Sequence, residues 1–280
     1  MNPIPRRIIQ TGKSAQLPVK ERAVVANLRL LNPDFEYVFY DDWDVENFID
    51  ANFPAYRAVF DGFPFRIQKY DFFRYLAVYR HGGFYFDLDV FLAAGLSPLL
   101  EHAAVFPFEG LNVNDYLREQ RRMDWHIGNY AFGARKGDPF LGAVIENCVR
   151  AQTDAAWVAS IMKGVLPLSR DEFYVLNTTG PGLLSRTLAE RPALAAGVHV
   201  LFPPDVCDPA RWNHFGDYGV HLMNGTWRSD HGYVRRRIAQ RMETYRFNRL
   251  MRHSRALGPR RAVPMPEPAR VAGIGEQQQG

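Results

Sequence analysis

The sequence predicts an α/β layer fold built on a largely parallel sheet, and three observations carry that expectation. Short apolar strand patterns alternate with helix patterns along the first ninety or so residues. Glycine and proline punctuate the boundaries between them. Two acids follow directly on an aromatic strand, at the carboxyl end where parallel sheets present their ligand sites. In order, Ile4 to Gln10 reads as a buried strand closed by Thr11-Gly12, and Pro18 to Leu31 as a helix with Val24, Leu28 and Leu31 on one face, ending at Asn32-Pro33. Glu36 to Tyr40 alternates like a strand, and Asp41-Asp42 offer caps for the next helix. Ile67 to Arg80 reads as a helix stopped by His81-Gly82-Gly83, followed by the strand Phe84 to Phe86. The second half is less regular. Val113 to Trp125 is polar and reads as a mobile surface excursion, Tyr130 to Phe132 as strand, Pro139 to Arg150 as helix. Thr179-Gly180-Pro181-Gly182 opens another helix, and Val198 to Phe202 is strand-like.

A chain of 280 residues with 47% hydrophobic and 23% charged residues has the balance of an ordinary globular protein, long enough for one large domain or two small ones. Cys148 and Cys207 are the whole cysteine complement, which excludes a disulfide framework and any cysteine-rich zinc module. Two reduced thiols, no run of about 18 apolar residues and no apolar leader in MNPIPRRIIQ fit a soluble, cytoplasmic protein. The net charge of +4 is concentrated from Arg235 to Arg261, where Glu243 is the single acid. No finger or RNP-type signature accompanies it, so no nucleic-acid partner is expected.

The stretch HGGFYFDLDVF, His81 to Phe91, is the most informative. Two carboxylates at i and i+2 just past a strand gather their oxygens near one point, and hard divalent cations take oxygen ligands while keeping positions open for phosphate. Asp42-Trp43-Asp44 has the same spacing but lies among helix-start residues, where acids act as caps and dipole partners. Asp87 and Asp89 instead border an apolar core, where unpaired charge is costly; their structural alternative is pairing with Arg or Lys. Upstream, Asp71 and Arg74 share a helix face, either as a solvated salt bridge of little worth or as a pair aimed at the same cleft.

The run KYDFFRYLAVYRHGGFYFDLDV, Lys69 to Val90, resembles the sugar-binding region of Asp-x-Asp glycosyltransferases, most closely glycosyltransferase family 32, and more distantly the catalytic domains of clostridial glucosylating toxins. IPRRIIQTG at the start, NTTGP at Asn177 to Pro181 and HLMNGTW at His221 to Trp227 extend the resemblance from about residue 4 to 227. It implies a GT-A fold: a single nucleotide-diphosphate-binding α/β domain with a mostly parallel central sheet flanked by helices. That domain spans 1–257, with an Arg-rich C-terminal helix at about 233–257 and a disordered tail over 258–280, the composition turning to Pro, Gly and Gln from about Pro264.

The resemblance also implies a retaining transferase moving a sugar from a UDP- or GDP-linked donor to a saccharide or lipid-linked glycan, in surface polysaccharide synthesis. Carried over by position, Asp89 coordinates Mn²⁺ or Mg²⁺, Asp87 meets ribose or sugar with a share in the metal, and Asp71 and Arg74 hold sugar hydroxyls. Gln10 and Thr11 border the base, Tyr85 belongs to the same substrate-binding set, and Asn129, Asn177 and Gly180 are further substrate contacts. His221 is a further metal or phosphate contact, with Thr226 and Trp227 beside the diphosphate. Taken alone, His221 and Trp227 would read as ordinary buried residues. Where many members read His-Gln-Thr-Trp, this chain has Ile9-Gln10-Thr11-Gly12, so the base lacks that aromatic partner; Thr226 replaces a commoner serine. No carboxylate is nominated as nucleophile, which favours same-face attack over double displacement.

Two rivals stand beside this. FYFDLDV satisfies the first motif of haloacid-dehalogenase-type phosphatases, but that motif normally follows the first strand, and Gly137-Asp138 has Gly142 where a second Asp belongs. A non-catalytic nucleotide-sugar-binding protein could keep the fold, against which the intact acidic pair argues. Val234, Ile238, Met242 and Tyr245 fall on one helical face among arginines. That pattern fits a terminal helix packed on the domain; its alternative is peripheral contact with the inner face of an anionic membrane.

Overall fold

β1 (Arg7–Thr11) is the seam of the molecule. Strand geometry sends successive side chains to opposite faces, so Ile8 enters one apolar layer and Ile9 the other. A computed structural model describes residues 3–112 and 114–223, all in one unit. In chain order β1 is followed by α1 (Val19–Leu31), β2 (Glu36–Tyr40), α2 (Asp42–Asn52), α3 (Arg57–Asp61), α4 (Arg66–His81), β3 (Gly83–Phe86), β4 (Val90–Leu92) and β5 (Ala104–Leu111). Then come β6 (Trp125–Ile127), β7 (Ala131–Ala134), α5 (Pro139–Thr153), α6 (Ala155–Met162), α7 (Arg170–Thr178), α8 (Pro181–Glu190), α9 (Pro192–Ala195), β8 (Val198–Leu201), β9 (His214–Phe215) and β10 (Gly219–His221).

β1 pairs in parallel with β2 on one side and β3 on the other, and β5 pairs in parallel with β8. β7 runs antiparallel between β3 and β5, and β6 extends β5 antiparallel at the edge. This is the α/β sheet the sequence predicts. On one face, Tyr85, Phe106 and Phe132 meet α2, α4, α5 and α8; on the other, Phe84 and Phe86 pack with Leu28 of α1 and Phe215. A small second sheet, β4-β10-β9, closes against the end of β3.

Local chemistry explains the boundaries. Asp41 caps α2 through Asp44 N–H at 3.0 Å, and Asp44 returns a bond to Asp41 N–H at 3.1 Å, a reciprocal capping box. Asp42 is taken by Arg66 and Tyr70, so the Asp42-Trp43-Asp44 acids serve the helix start as expected. α4 stops because Gly82 and Gly83 sit at φ +70° and +111°, and a side chain on Gly83 would strike the Arg7 carbonyl at 2.6 Å.

One expectation is corrected. The segment before Trp125 does not stand off as a polar excursion: Tyr116 and Leu117 are buried against Ile161 of α6. Arg186 of α8, itself fully buried, is the reason. Its guanidinium lies over Trp157 at 3.6 Å and Tyr116 at 4.7 Å and donates to Glu190 at 2.9 Å. A buried cation is tolerable only when stacked and paired this completely, and the arrangement fastens the segment down. The C-terminal helix at about 233–257 and the tail over 258–280 lie outside the described residues.

Candidate active site

The chain leaves β3 directly into Asp87-Leu88-Asp89. The Asp87 amide donates to the Tyr130 carbonyl at 2.7 Å, and Val90 N–H returns to the Asp87 carbonyl at 3.2 Å, turning the chain off strand geometry. β4 then carries the chain away, and β10 returns antiparallel to it with His221 opposite Val90. Leu222 N–H donates to the Asp89 carbonyl at 2.8 Å, fixing the approach. His221 Nε2 ends 3.2 Å from Asp89 Oδ1, and its ring stacks on Tyr130 at 4.3 Å. Ligand atoms of Asp87, Asp89 and His221 all lie within 4.8 Å of one another.

Beneath this group lies a buried charge relay on α4. Arg74 Nη2 is 3.2 Å from Asp71 Oδ1 and Nη1 is 3.1 Å from Asp87 Oδ1, so one guanidinium bridges helix and strand end. Nη1 also donates to the Asn129 carbonyl at 2.9 Å, and the guanidinium lies 4.6 Å over the Tyr85 ring. Asp71 accepts from Asn129 Nδ2 at 3.0 Å and from Thr179 Oγ1 at 2.9 Å. The Tyr85 hydroxyl donates to Asp87 Oδ1 at 2.9 Å and contacts Thr11 Oγ1 at 3.2 Å. Gln10 lies between Tyr37, whose hydroxyl donates to Oε1 at 3.1 Å, and the Phe86 and Asp87 carbonyls.

The electrostatics follow from this layout. Burial raises the Asp71 carboxyl to about 6, with Arg74 and the Thr179 and Asn129 donors opposing it. Burial likewise raises Asp87 against the pull of Arg74. Burial alone would lower Arg74, yet Asp87, Tyr85 and Asp71 hold it above its usual value and fully charged. For His221, burial acts downward, but the Asp89 hydrogen bond and the charges of Asp89, Asp87 and Glu109 raise it overall. Excess negative charge around an imidazole is the setting in which a divalent cation is favoured over a proton. Two carboxylates and an imidazole form a donor set suited to Mn²⁺ or Mg²⁺, so the residues present fit such an ion.

Of the residues expected at the site, Asp71, Arg74, Tyr85, Asp87, Asp89, Asn129, His221, Gln10 and Thr11 are brought together. The Asp71–Arg74 pair is buried rather than the solvated bridge its spacing also allowed, with both side chains about 5% exposed or less. Asn177 is not drawn in: its amide donates to Phe173 within α7 and touches the Met162 sulfur. Gly180 caps α8 and packs so closely on Leu176 that a side chain there would meet its Cα at 3.0 Å. Packing therefore accounts for both. The NTTGP segment instead reaches the site through Thr179. Thr226 and Trp227 lie outside the described residues. Tyr75, Tyr130 and Glu109 were missed from sequence. Tyr75 accepts from Asn129 and donates to the Thr179 carbonyl; Glu109 is the extra residue of a β-bulge between β5 and β6 and approaches Gly128 and Tyr130. The bulge has no sequence signal beyond the glycines at 110 and 128.

Residues 18–106 match the glycosyltransferase sugar-binding region containing a DXD motif. That region carries Asp71, Arg74, Asp87 and Asp89, and in it the chain is similar to DXD glycosyltransferases, named mannosyltransferases among them. In Schizosaccharomyces pombe, inositol phosphoceramide mannosyltransferase 3 is 34% identical over 147 residues, covering 52% of this chain and 38% of the relative. Inositol phosphoceramide mannosyltransferase 2 of the same yeast is 38% identical over 168 residues, covering 59% and 45%. The chain thus spans less than half the length of these curated relatives. Among solved structures, the PaToxG glycosyltransferase is similar with a TM-score of 0.46 and 16% identity, covering 70% of this chain and 73% of that one. The FYFDLDV run that a phosphatase motif would also satisfy lies inside this DXD region match.

Proposed function

We propose that this chain transfers a hexosyl group, with mannose the sugar its relatives' names favour, from a nucleoside-diphosphate donor to a hydroxyl of a glycan or glycolipid. The observation that carries the reading is the convergence of Asp87, Asp89 and His221 within 4.8 Å, directly above the buried Arg74. Mn²⁺ or Mg²⁺ held by these three would neutralise the leaving diphosphate as negative charge develops on it. Arg74 supplies a fixed positive charge in a dry surrounding, where preorganised electrostatics act most strongly. Gln10, Thr11 and Tyr85 border the donor at the end of β1, and Asp71 and Asn129 fix Arg74 and present acceptors for sugar hydroxyls. Thr226 and Trp227 are assigned to the diphosphate.

Transfer proceeds with retention by same-face attack. The carboxylates nearest the guanidinium, Asp71 and Asp87, are each engaged by it, which weakens them as nucleophiles for a double displacement. The relatives' names favour a glycolipid acceptor over a surface polysaccharide. Action at the cytoplasmic face of a membrane, helped by the Arg-rich segment, fits that acceptor; among the described residues no helix is long and apolar enough to cross a membrane.

The test is a panel of UDP- and GDP-sugars assayed for nucleotide release with Mn²⁺, Mg²⁺ or EDTA, in parallel with Asp89→Ala. Metal-dependent release from one donor, lost in Asp89→Ala, is the expected result. Folded wild-type protein that binds a donor but releases no nucleotide under any metal would leave a non-catalytic nucleotide-sugar-binding protein, and one that binds no donor at all would overturn the reading.

A further inference from the structure

His221 reaches the acidic pair on a small sheet whose strands β4, β10 and β9 are three, three and two residues long. A sheet that short contributes few ladder bonds and little stiffness of its own. Asn213 accepts from the His221 N–H and donates through Nδ2 to the His221 carbonyl, both at 2.8 Å, and Leu222 N–H donates to the Asp89 carbonyl. These bonds place the His221 main chain. They do not fix the two side-chain torsions that decide where its imidazole points.

Tyr130 touches each part that has to be aligned. Its carbonyl accepts from the Asp87 amide at 2.7 Å, at the point where the acidic pair leaves β3. Its ring lies face to face with the His221 imidazole, with centroids 4.3 Å apart and planes 18° from parallel. Its hydroxyl donates at 3.0 Å to the carbonyl of His214, whose strand β9 pairs with β10. One side chain therefore holds the returning hairpin at two points, while its own main chain holds the strand end.

The ring is itself confined. Tyr130 is buried, and a side chain on Gly128 would meet its ring at 2.9 Å, so the glycine is what leaves room for it. Burial, with the Glu109 charge added, pushes the Tyr130 hydroxyl well above its ordinary value and keeps it a donor to His214. Against this fixed face the imidazole has one plane in which to lie, and in that plane Nε2 is 3.2 Å from Asp89 Oδ1. The electron-rich face of a phenol also favours an imidazole that carries positive charge, whether from a proton or from a cation on Nε2. The preceding residue, Asn129, holds Arg74 and Asp71, so two consecutive residues align the two halves of the site.

We propose that Tyr130 is a positioning residue of the metal group: its ring sets the plane of the His221 imidazole, and through it the affinity of Asp87, Asp89 and His221 for a divalent cation. This rests on the glycosyltransferase reading above, in which that group holds Mn²⁺ or Mg²⁺.

The test begins with NMR of the metal-free full chain. The His221 ring protons are assigned by their loss in His221→Ala. A stacked Tyr130 moves them upfield of their random-coil positions, and the shift persists in Tyr130→Phe and disappears in Tyr130→Leu. Mn²⁺ is then titrated into wild type, Tyr130→Phe, Tyr130→Leu and Asp89→Ala, alone and with UDP or GDP. Free ion is read by electron paramagnetic resonance, and every variant is checked by thermal melt. Tyr130→Phe, which keeps the ring, should bind Mn²⁺ within about three-fold of wild type, and folded Tyr130→Leu about ten-fold more weakly. Equal affinity in wild type and folded Tyr130→Leu overturns the proposal, because a merely structural role moves the melt alone. A loss in Tyr130→Phe as large as that in Tyr130→Leu also overturns it, since the hydroxyl tie and not the ring would then matter. Should Tyr130→Leu not fold, the wild-type spectrum decides, and unshifted His221 protons overturn the stack. Wild type that takes up no Mn²⁺, alone or with nucleotide, would instead overturn the underlying metal-site reading, so the two failures are told apart.

Discussion

At the residue scale the site is governed by one arginine shared between two carboxylates. Arg74 joins Asp71 on α4 to Asp87 beyond β3, and both acids are raised by burial. The consequence for stability can be signed. Asp71 binds its proton more tightly folded, at about 6, than at its ordinary 3.8. Its contribution is therefore fully present below about pH 4 and lost as pH rises through 6. At 1.36 kcal/mol per unit the loss is about 3 kcal/mol. Asp71→Asn keeps an acceptor for Asn129 without the titration. In urea unfolding from pH 4 to 7, wild type should lose about that much stability relative to Asp71→Asn. Parallel stability curves would mean that Asp71 stays ionised throughout. The spacing of Asp71 and Arg74 left open whether they meet in solvent or in a cleft, because i,i+3 geometry is the same in both. What decides it is the approach of Tyr85, Asn129 and Thr179 from other elements, which closes over the pair and is visible only once strands and helices are layered.

At the element scale, the strands that position the site are set by small residues opposite large ones. Gly133 of β7 faces Phe84 of β3, and a methyl group on it would overlap the Phe84 ring. Gly133→Ala should cost about 1–3 kcal/mol by overpacking. It should also weaken donor binding, because β3 carries Asp87. A thermal melt together with nucleotide titration checks both, and an unchanged melting temperature would show that Phe84 has room to move. Such elements were largely legible. The strand Glu36–Tyr40 and the helix ending at Leu31 fall where periodicity and the Asn32-Pro33 stop put them. The excursion before Trp125 was not legible. Its polar composition hides that Tyr116 lies under Arg186, 70 residues away, and that Leu117 packs with Ile161. Asn177 and Thr179 were confused for a related reason: pattern selects a segment, and only the pitch of α7 decides which member faces Asp71.

At the scale of the whole molecule, a sheet edge, a helix and a returning hairpin bring residues 10, 74, 87, 89, 129 and 221 to one place. The acidic pair was readable because Asp-x-Asp at a strand end is local. The approach of His221 depends on β10 pairing with β4 across more than a hundred residues, which no local pattern encodes. The central claim is that these groups form a metal-assisted diphosphate site. The most direct measurement is calorimetric titration of GDP and UDP into wild type and Asp89→Ala, with Mn²⁺ and with EDTA. The account predicts saturable binding of one nucleotide with Mn²⁺, abolished by EDTA and by Asp89→Ala while the urea midpoint is preserved. Binding that is indifferent to metal and to Asp89→Ala would contradict it.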